Sequence, residues 1–260
     1  MTNVIVPLDF SEASFNAARY AVNLFKDKPR TNIIFYHFYE NKDDAATGRQ
    51  FLESLEEKYS GGKNSIETIM ETGSHFIECL AALAHVKAAY MIVMGLTGKT
   101  PMAQRFSGSN TLKMAEQNVC PVLIVPENAM HKGINNVLIA SEMKYVEESP
   151  TLLAVKSVLK DFKCSLHILN VDSSHYISLT ESFKEERDKM EKLLSEFNPE
   201  FYFMRLFDFH ESINLFTKDK NIDMIIIAPK NHSFYEKLFK TAHTKKLVYQ
   251  TEVPVLAVHE

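Results

Sequence analysis

The residues of this 260-residue chain whose types and spacing could do chemistry lie between Met94 and Thr111. Of the eight glycines in the sequence, Gly95, Gly98 and Gly108 fall here, and Ser109, Asn110 and Thr111 follow directly. Glycine serves where backbone must turn with positive φ or let a ligand come close. The stretch leaves an apolar run, Tyr90–Met94, that reads as a buried strand, and it enters Leu112–Gln117, which has helical spacing. A strand, a glycine-bearing loop and a helix N-terminus gather free backbone N–H groups around one point, which is chemistry suited to an anion. Ser109 and Thr111 add hydroxyls, and Lys99 and Arg105 add positive charge within the loop. The competing reading is a plain strand-to-helix connection with no ligand.

Two familiar phosphate motifs do not fit. Gly98-Lys99-Thr100 has the ending of G-x-x-x-x-G-K-[ST], but the leading glycine would have to stand at Val93, inside the apolar run. The dinucleotide pattern G-x-G-x-x-G fails as well, because Gly95 and Gly98 are spaced G-x-x-G. What remains is G-x2-G-x9-G-[ST] over Gly95, Gly98, Gly108 and Ser109. Other constellations are weaker. The ten histidines show no metal-ligand spacing with Cys, Asp or Glu partners, and His210-Glu211 lacks the second histidine of H-E-x-x-H. No G-x-S-x-G elbow exists, so no catalytic residue and no metal ligand are assigned. His37 and His167 lie in apolar strands and are expected to be hydrogen-bonded core residues. Glu181–Lys192 reads as the solvated face of a helix.

Bulk properties exclude several function classes. Hydrophobic residues at 45% and charged residues at 24% are ordinary for a globular chain. A net charge of −4 gives no electrostatic reason for a nucleic acid or anionic membrane partner. No run approaches the eighteen apolar residues of a membrane span. Cys79, Cys120 and Cys164 are odd in number and far apart, which suits reduced thiols, and the chain is expected to be cytoplasmic.

In order, the first half reads as strand Asn3–Leu8 and then a helix capped by Ser11. Strand Asn32–Tyr39, a charged helix over 41–59 and edge strand Ser65–Met70 follow. Ser74 offers a cap for a helix through Val86, after which come the Tyr90–Met94 strand, a helix over 109–118 and strand Pro121–Pro126. The pattern then restarts. Asn136–Ser141 echoes Asn3–Leu8, and Pro254–Val258 echoes Pro121–Val125, both at an offset of 133. Repetition at this length means duplicated domains, with Glu127–Gly133 as the seam. The expected bounds are 1–127 and 134–260, two tandem α/β domains of parallel strands covered by helices on both faces.

The loop pattern, together with this repeat, resembles the universal stress protein family over the whole chain. The resemblance implies a Rossmann-like fold of the adenine nucleotide alpha hydrolase-like kind, five parallel strands per domain. It implies a site for ATP in the first domain, built from three places. Pro7, Leu8 and Asp9 would face adenine and ribose, and Phe38 would lie against the base. Met94, Gly95, Gly98, Gly108, Ser109, Asn110 and Thr111 would hold ribose and phosphates, with Lys99 and Arg105 near the triphosphate and Mg²⁺ only as its companion. Asp9 could instead cap the first helix, Phe38 could be packing, and Lys99 and Arg105 could be solvated. The second domain departs from the pattern: Pro229 stands for Gly95, Thr241-Ala242 for Gly108-Ser109 and Glu142 for Asp9, so it is expected to have lost the site. The implied function is ATP binding as a regulatory ligand in stress response. Slow ATP hydrolysis, or a scaffold without nucleotide, is the alternative. The family also implies pairing of fifth strands, Val122–Val125 and Val255–Val258, as an intramolecular pseudo-dimer or a homodimer.

Overall fold

The computed structural model describes residues 1–41, 43–96, 110–141, 150–172, 181–205, 209–227 and 251–258. The chain divides into two compact units, Met1–His131 and Lys132–Glu260. In the first, β1 (Thr2–Pro7), α1 (Glu12–Phe25), β2 (Thr31–Tyr39), α2 (Asp44–Tyr59), β3 (Ser65–Thr72), α3 (Phe76–Val86) and β4 (Ala89–Leu96) alternate. A helical stretch over 110–115 (α4) and β5 (Val122–Pro126) complete it. The strands are parallel in the order β3-β2-β1-β4-β5. From β1 the chain steps outward to β2 and β3, then crosses back to β4 and β5 on the other side. The order therefore reverses between β1 and β4, the place where open α/β sheets leave a crevice beyond the strand ends.

The residues explain the layers. Val4, Ile5, Val6, Ile92 and Val93 are completely buried, as an apolar run must be when helices cover both faces. Alternation along β2 shows the two faces directly. Phe35 meets Tyr59 of α2 and His37 stacks on Phe10, whereas Tyr36 and Phe38 meet Phe76 of α3. On the edge, β3 has no fully buried residue, in line with its alternating sequence. Ser11 caps α1 as its sequence position suggests, accepting a hydrogen bond from the Ser14 N–H at 3.2 Å. Ser74 does not cap α3. The cap position falls one residue later, at His75, and its side chain makes no capping bond.

The second unit has β6 (Asn136–Ala140), α5 (Pro150–Leu159), β7 (Ser165–Asp172), α6 (Glu181–Leu193), β8 (Glu200–Arg205), α7 (Phe209–Asp219), β9 (Met224–Ile227) and β10 (Val255–Ala257). Its parallel order, β10-β9-β6-β7-β8, is that of the first unit. Individual bonds repeat at the sequence offset. Leu8 N–H donates to Tyr36 O at 2.8 Å and Ser141 N–H to Leu169 O at 3.1 Å. Ile92 N–H donates to Pro121 O and Ile225 N–H to Pro254 O, both at 2.9 Å. Ala88 and Asn221 share a left-handed backbone, φ 44° and 48°. On α6, Lys184 pairs with Glu181, Lys189 with Glu186 and Arg187 with Glu191, the solvated face its sequence describes.

One histidine differs from expectation. His37 is hydrogen-bonded, its Nδ1 lying 2.8 Å from Leu8 O. His167 is buried, yet among the described residues neither ring nitrogen has a hydrogen-bond partner. It lies beside the rings of Tyr202 and Phe216, and the Glu200 carboxylate is 3.9 Å from Nδ1 and already accepts from the Tyr202 hydroxyl. An apolar run reveals burial, not whether a neighbouring strand supplies an acceptor. Burial lowers the pKa of His167, the Glu200 charge raises it less, and Lys220 lowers it further. A base with a depressed folded pKa takes up more protons when unfolded, so the stability linked to His167 is fully present above about pH 6.5. It is lost progressively as pH falls below that value. Denaturant unfolding of the second unit followed from pH 7.5 to pH 5 is expected to show this loss. His167→Leu is expected to flatten the slope, and an unchanged slope would assign the acid sensitivity elsewhere.

Candidate functional site

The ends of β1 and β4 lie side by side at the reversal of strand order. Ile5 is opposite Ile92, so Pro7 and Met94 each stand two residues further along their strands. Pro7, Leu8 and Met94 are buried. Asp9 is exposed, and its Oδ1 accepts from both the backbone N–H of Ser11 at 3.1 Å and the Ser11 hydroxyl at 2.6 Å. The helix-cap alternative is therefore half right: Ser11 caps α1, and Asp9 braces the capping residue through an Asx-type turn. Among the described residues, nothing donates to its other oxygen, Oδ2. Next to it Phe10 has φ 59°, a conformation few bulky side chains adopt. It is held there by rings on either side, with centroids 4.3 Å away at His37 and 4.7 Å away at Phe51.

Gly95 has a role the sequence did not disclose. A Cβ at this position would lie 2.3 Å from Ala13 O and 2.9 Å from Ser14 N, inside the first turn of α1. α1 reaches so close because Ala13, Ala17 and Ala21, one turn apart, present only methyl groups to the sheet and are buried. Gly95 is thus required by backbone meeting backbone, whatever else binds nearby. On the far side, the Thr111 hydroxyl donates to Gly95 O at 2.9 Å, and Thr111 is buried. This bond ties the start of α4 to the end of β4, while Asn110 beside it is half-buried. The Asp9 turn, the α1 N-terminus, Gly95 and Thr111 so form one connected cluster. Gly98, Lys99, Arg105, Gly108 and Ser109 lie outside the described residues, as do Glu142, Pro229, Thr241 and Ala242 of the second unit.

Phe38 is half-buried on the α3 side of the sheet, its ring centroid 5.7 Å from Phe76 and its edge over Gly73, where a Cβ would come within 3.3 Å. Below it, the Tyr36 hydroxyl donates to Glu71 at 2.8 Å. Burial, reinforced by the Glu71 carboxylate, holds the Tyr36 phenol above its usual range, and the same two causes raise the Cys79 thiol. Burial pushes Cys120 to about 12 and Cys164 to about 11. None of these groups is activated as a nucleophile. No group of His, Cys, Asp and Glu side chains that could hold a metal ion occurs among the described residues. Nor, among them, is any helix long and apolar enough to cross a membrane.

Sequence reasoning missed Asn16 and Asn170 as supporting residues. Asn16, buried in α1, donates from Nδ2 to Pro126 O at 2.9 Å and Ala129 O at 3.0 Å, fixing the chain as it leaves β5. His37 binds the carbonyl of Leu8, and Asn170 donates to Ser141 O at 3.1 Å in the matching place of the second unit. Polar residues within otherwise buried stretches were the available signal. It marks a bond without naming the partner.

The fold therefore defines a doubly wound α/β protein made of two like units, with its switch point beside Asp9 and Gly95. Residues 1–126, in the first unit, match the model of the universal stress protein family. Among solved structures, a universal stress protein from Archaeoglobus fulgidus DSM 4304 is similar at TM-score 0.73 and 16% identity, over 98% of this chain and 94% of that one. A protein of unknown function from Pseudomonas aeruginosa PAO1 is similar at TM-score 0.66 and 13% identity, over 100% and 92%. The cytoplasmic domain of a prokaryotic cation chloride cotransporter is similar at TM-score 0.56 and 10% identity, over 99% and 95%. At these identities the likeness is one of fold. No curated protein matches the chain in sequence.

Proposed function

We propose that the N-terminal unit binds ATP as a regulatory ligand, in the service of a stress response. The observation that carries this reading is the cluster at the strand reversal, where Thr111 ties the far end of the glycine-bearing segment to Gly95 beside the Asp9 turn. Asp9 keeps one carboxylate oxygen for ribose hydroxyls or the adenine amine, while its other oxygen braces Ser11. Phe38 offers a ring edge to the base from β2. Gly98, Gly108, Ser109 and Asn110 would hold the phosphates with Lys99 and Arg105 as charge partners, and Mg²⁺ would accompany the triphosphate. Thr111 and Gly95 serve by position: the hydroxyl of one and the missing Cβ of the other are already engaged within the protein.

Calorimetric titration of the full chain with ATP and with ADP tests this reading, alongside mass spectrometry of small molecules released when freshly purified protein is denatured. Saturable binding at one site per chain is expected. Asp9→Asn keeps the acceptor for Ser11 but removes the charge, and is expected to weaken binding about tenfold, or about 1.4 kcal/mol. Gly108→Val is expected to weaken it further. Absence of binding to about 1 mM ATP, or an unchanged affinity in both variants, would overturn the assignment.

A further inference from the structure

We propose that a trough between α1 and α2 is a second small-molecule site, for an aromatic compound carrying a single negative charge. The trough encloses a volume of about 580 Å³, within the roughly 300–1,000 Å³ of ligand pockets. α1 contributes Glu12, Phe15 and Arg19 from one stripe, and α2 contributes Phe51, Leu55 and Lys58 at the same helical spacing. None of the residues invoked for ATP lines it, so the two readings stand or fall separately.

Rings and charges specify the ligand. Phe15, Phe51 and Tyr59 form much of the apolar wall, and Phe51 is left 42% exposed although its ring stacks on Phe10. Aromatic walls favour a flat body that can stack or meet them edge-on. Arg19, midway along α1, and Lys58, in the last turn of α2, both line the trough. Each helix joins neighbouring parallel strands of the first unit, α1 joining β1 to β2 and α2 joining β2 to β3. Arg19 donates to Asn16 Oδ1 at 2.5 Å, and Lys58 lies 5.3 Å from the Tyr59 ring centroid. Neither pairs with a carboxylate among the described residues, although Glu12 and Glu127 line the same trough. Two positive and two negative side chains leave the wall neutral overall. One carboxylate, met by Arg19 or Lys58, suits it, whereas a triphosphate, a nucleic acid strand or an anionic lipid surface would meet Glu12 and Glu127.

The test is titration of the full chain with 1-naphthoate, read by calorimetry and by saturation-transfer NMR. Saturable binding is expected. The Arg19→Gln/Lys58→Gln double variant, exposed at both positions and so expected to melt as the parent does, should bind about tenfold more weakly. The neutral analogue 1-naphthalenemethanol should lose a similar factor against the unsubstituted protein. Lys63→Gln, which removes only a surface pair with Asp27, should change nothing. Non-saturating uptake to about 1 mM, equal affinity for the alcohol, or full affinity in the double variant would overturn the proposal.

Discussion

Replacing Gly95 by alanine is expected to destabilise the N-terminal unit by about 3 kcal/mol or more, at the upper end of overpacking effects, because the added methyl meets backbone and not a movable side chain. Its Cβ would stand 2.3 Å from the Ala13 carbonyl oxygen and 2.5 Å from the carbonyl carbon. Relief requires α1 to lift from β4, which would open the packing beneath Ala17 and Ala21, both completely buried. Hydrogen exchange of β4 and α1 amides should report the loss, while β9 amides of the second unit keep their protection. Ala13→Gly should give no rescue, since the clash is with the carbonyl and not with the alanine methyl. Parent-like protection in Gly95→Ala would show that α1 does not sit as described. Loss of ATP binding in this variant would report lost packing, so Asp9 and Gly108 are the informative positions for the nucleotide.

The second large effect is expected at Asn16. Its amide donates to two carbonyls past the end of β5, Pro126 and Ala129, from a position 4% exposed. Asn16→Ala removes both donors and leaves polar groups in a buried setting, which costs about 1–3 kcal/mol for each unsatisfied group. A total loss of about 3 kcal/mol is expected by urea unfolding. Asn16→Leu separates the causes, because it restores volume without restoring donors. A loss similar to that of alanine is expected, and recovery to parental stability would assign the role to packing.

Much of the architecture was legible in the chain because it rests on local rules. The buried run Val4–Val6, the Ser11 cap and the strand-helix alternation follow from periodicity and capping. The duplication was legible because bonds such as Leu8–Tyr36 and Ser141–Leu169 recur where the sequence recurs. At the site, sequence identified which segments matter and misjudged what some residues do. Gly95 reads as ligand access and is filled by α1; Thr111 reads as a free hydroxyl and is bonded to Gly95 O. Asp9 divides its carboxylate between the turn and the open side.

The sequence by itself determined the two α/β halves and the asymmetry between a glycine-bearing first loop and a second loop without glycine. These depend on residue order and on intrinsic backbone preferences, which act over a few neighbours. Only the tertiary structure decided that Gly95 is a packing requirement, that His37 has an acceptor while His167 has none among the described residues, and that α1 and α2 leave a trough between them. Each of those outcomes depends on the distance between atoms far apart in the chain, a quantity set when helices settle on a sheet and absent from any local pattern.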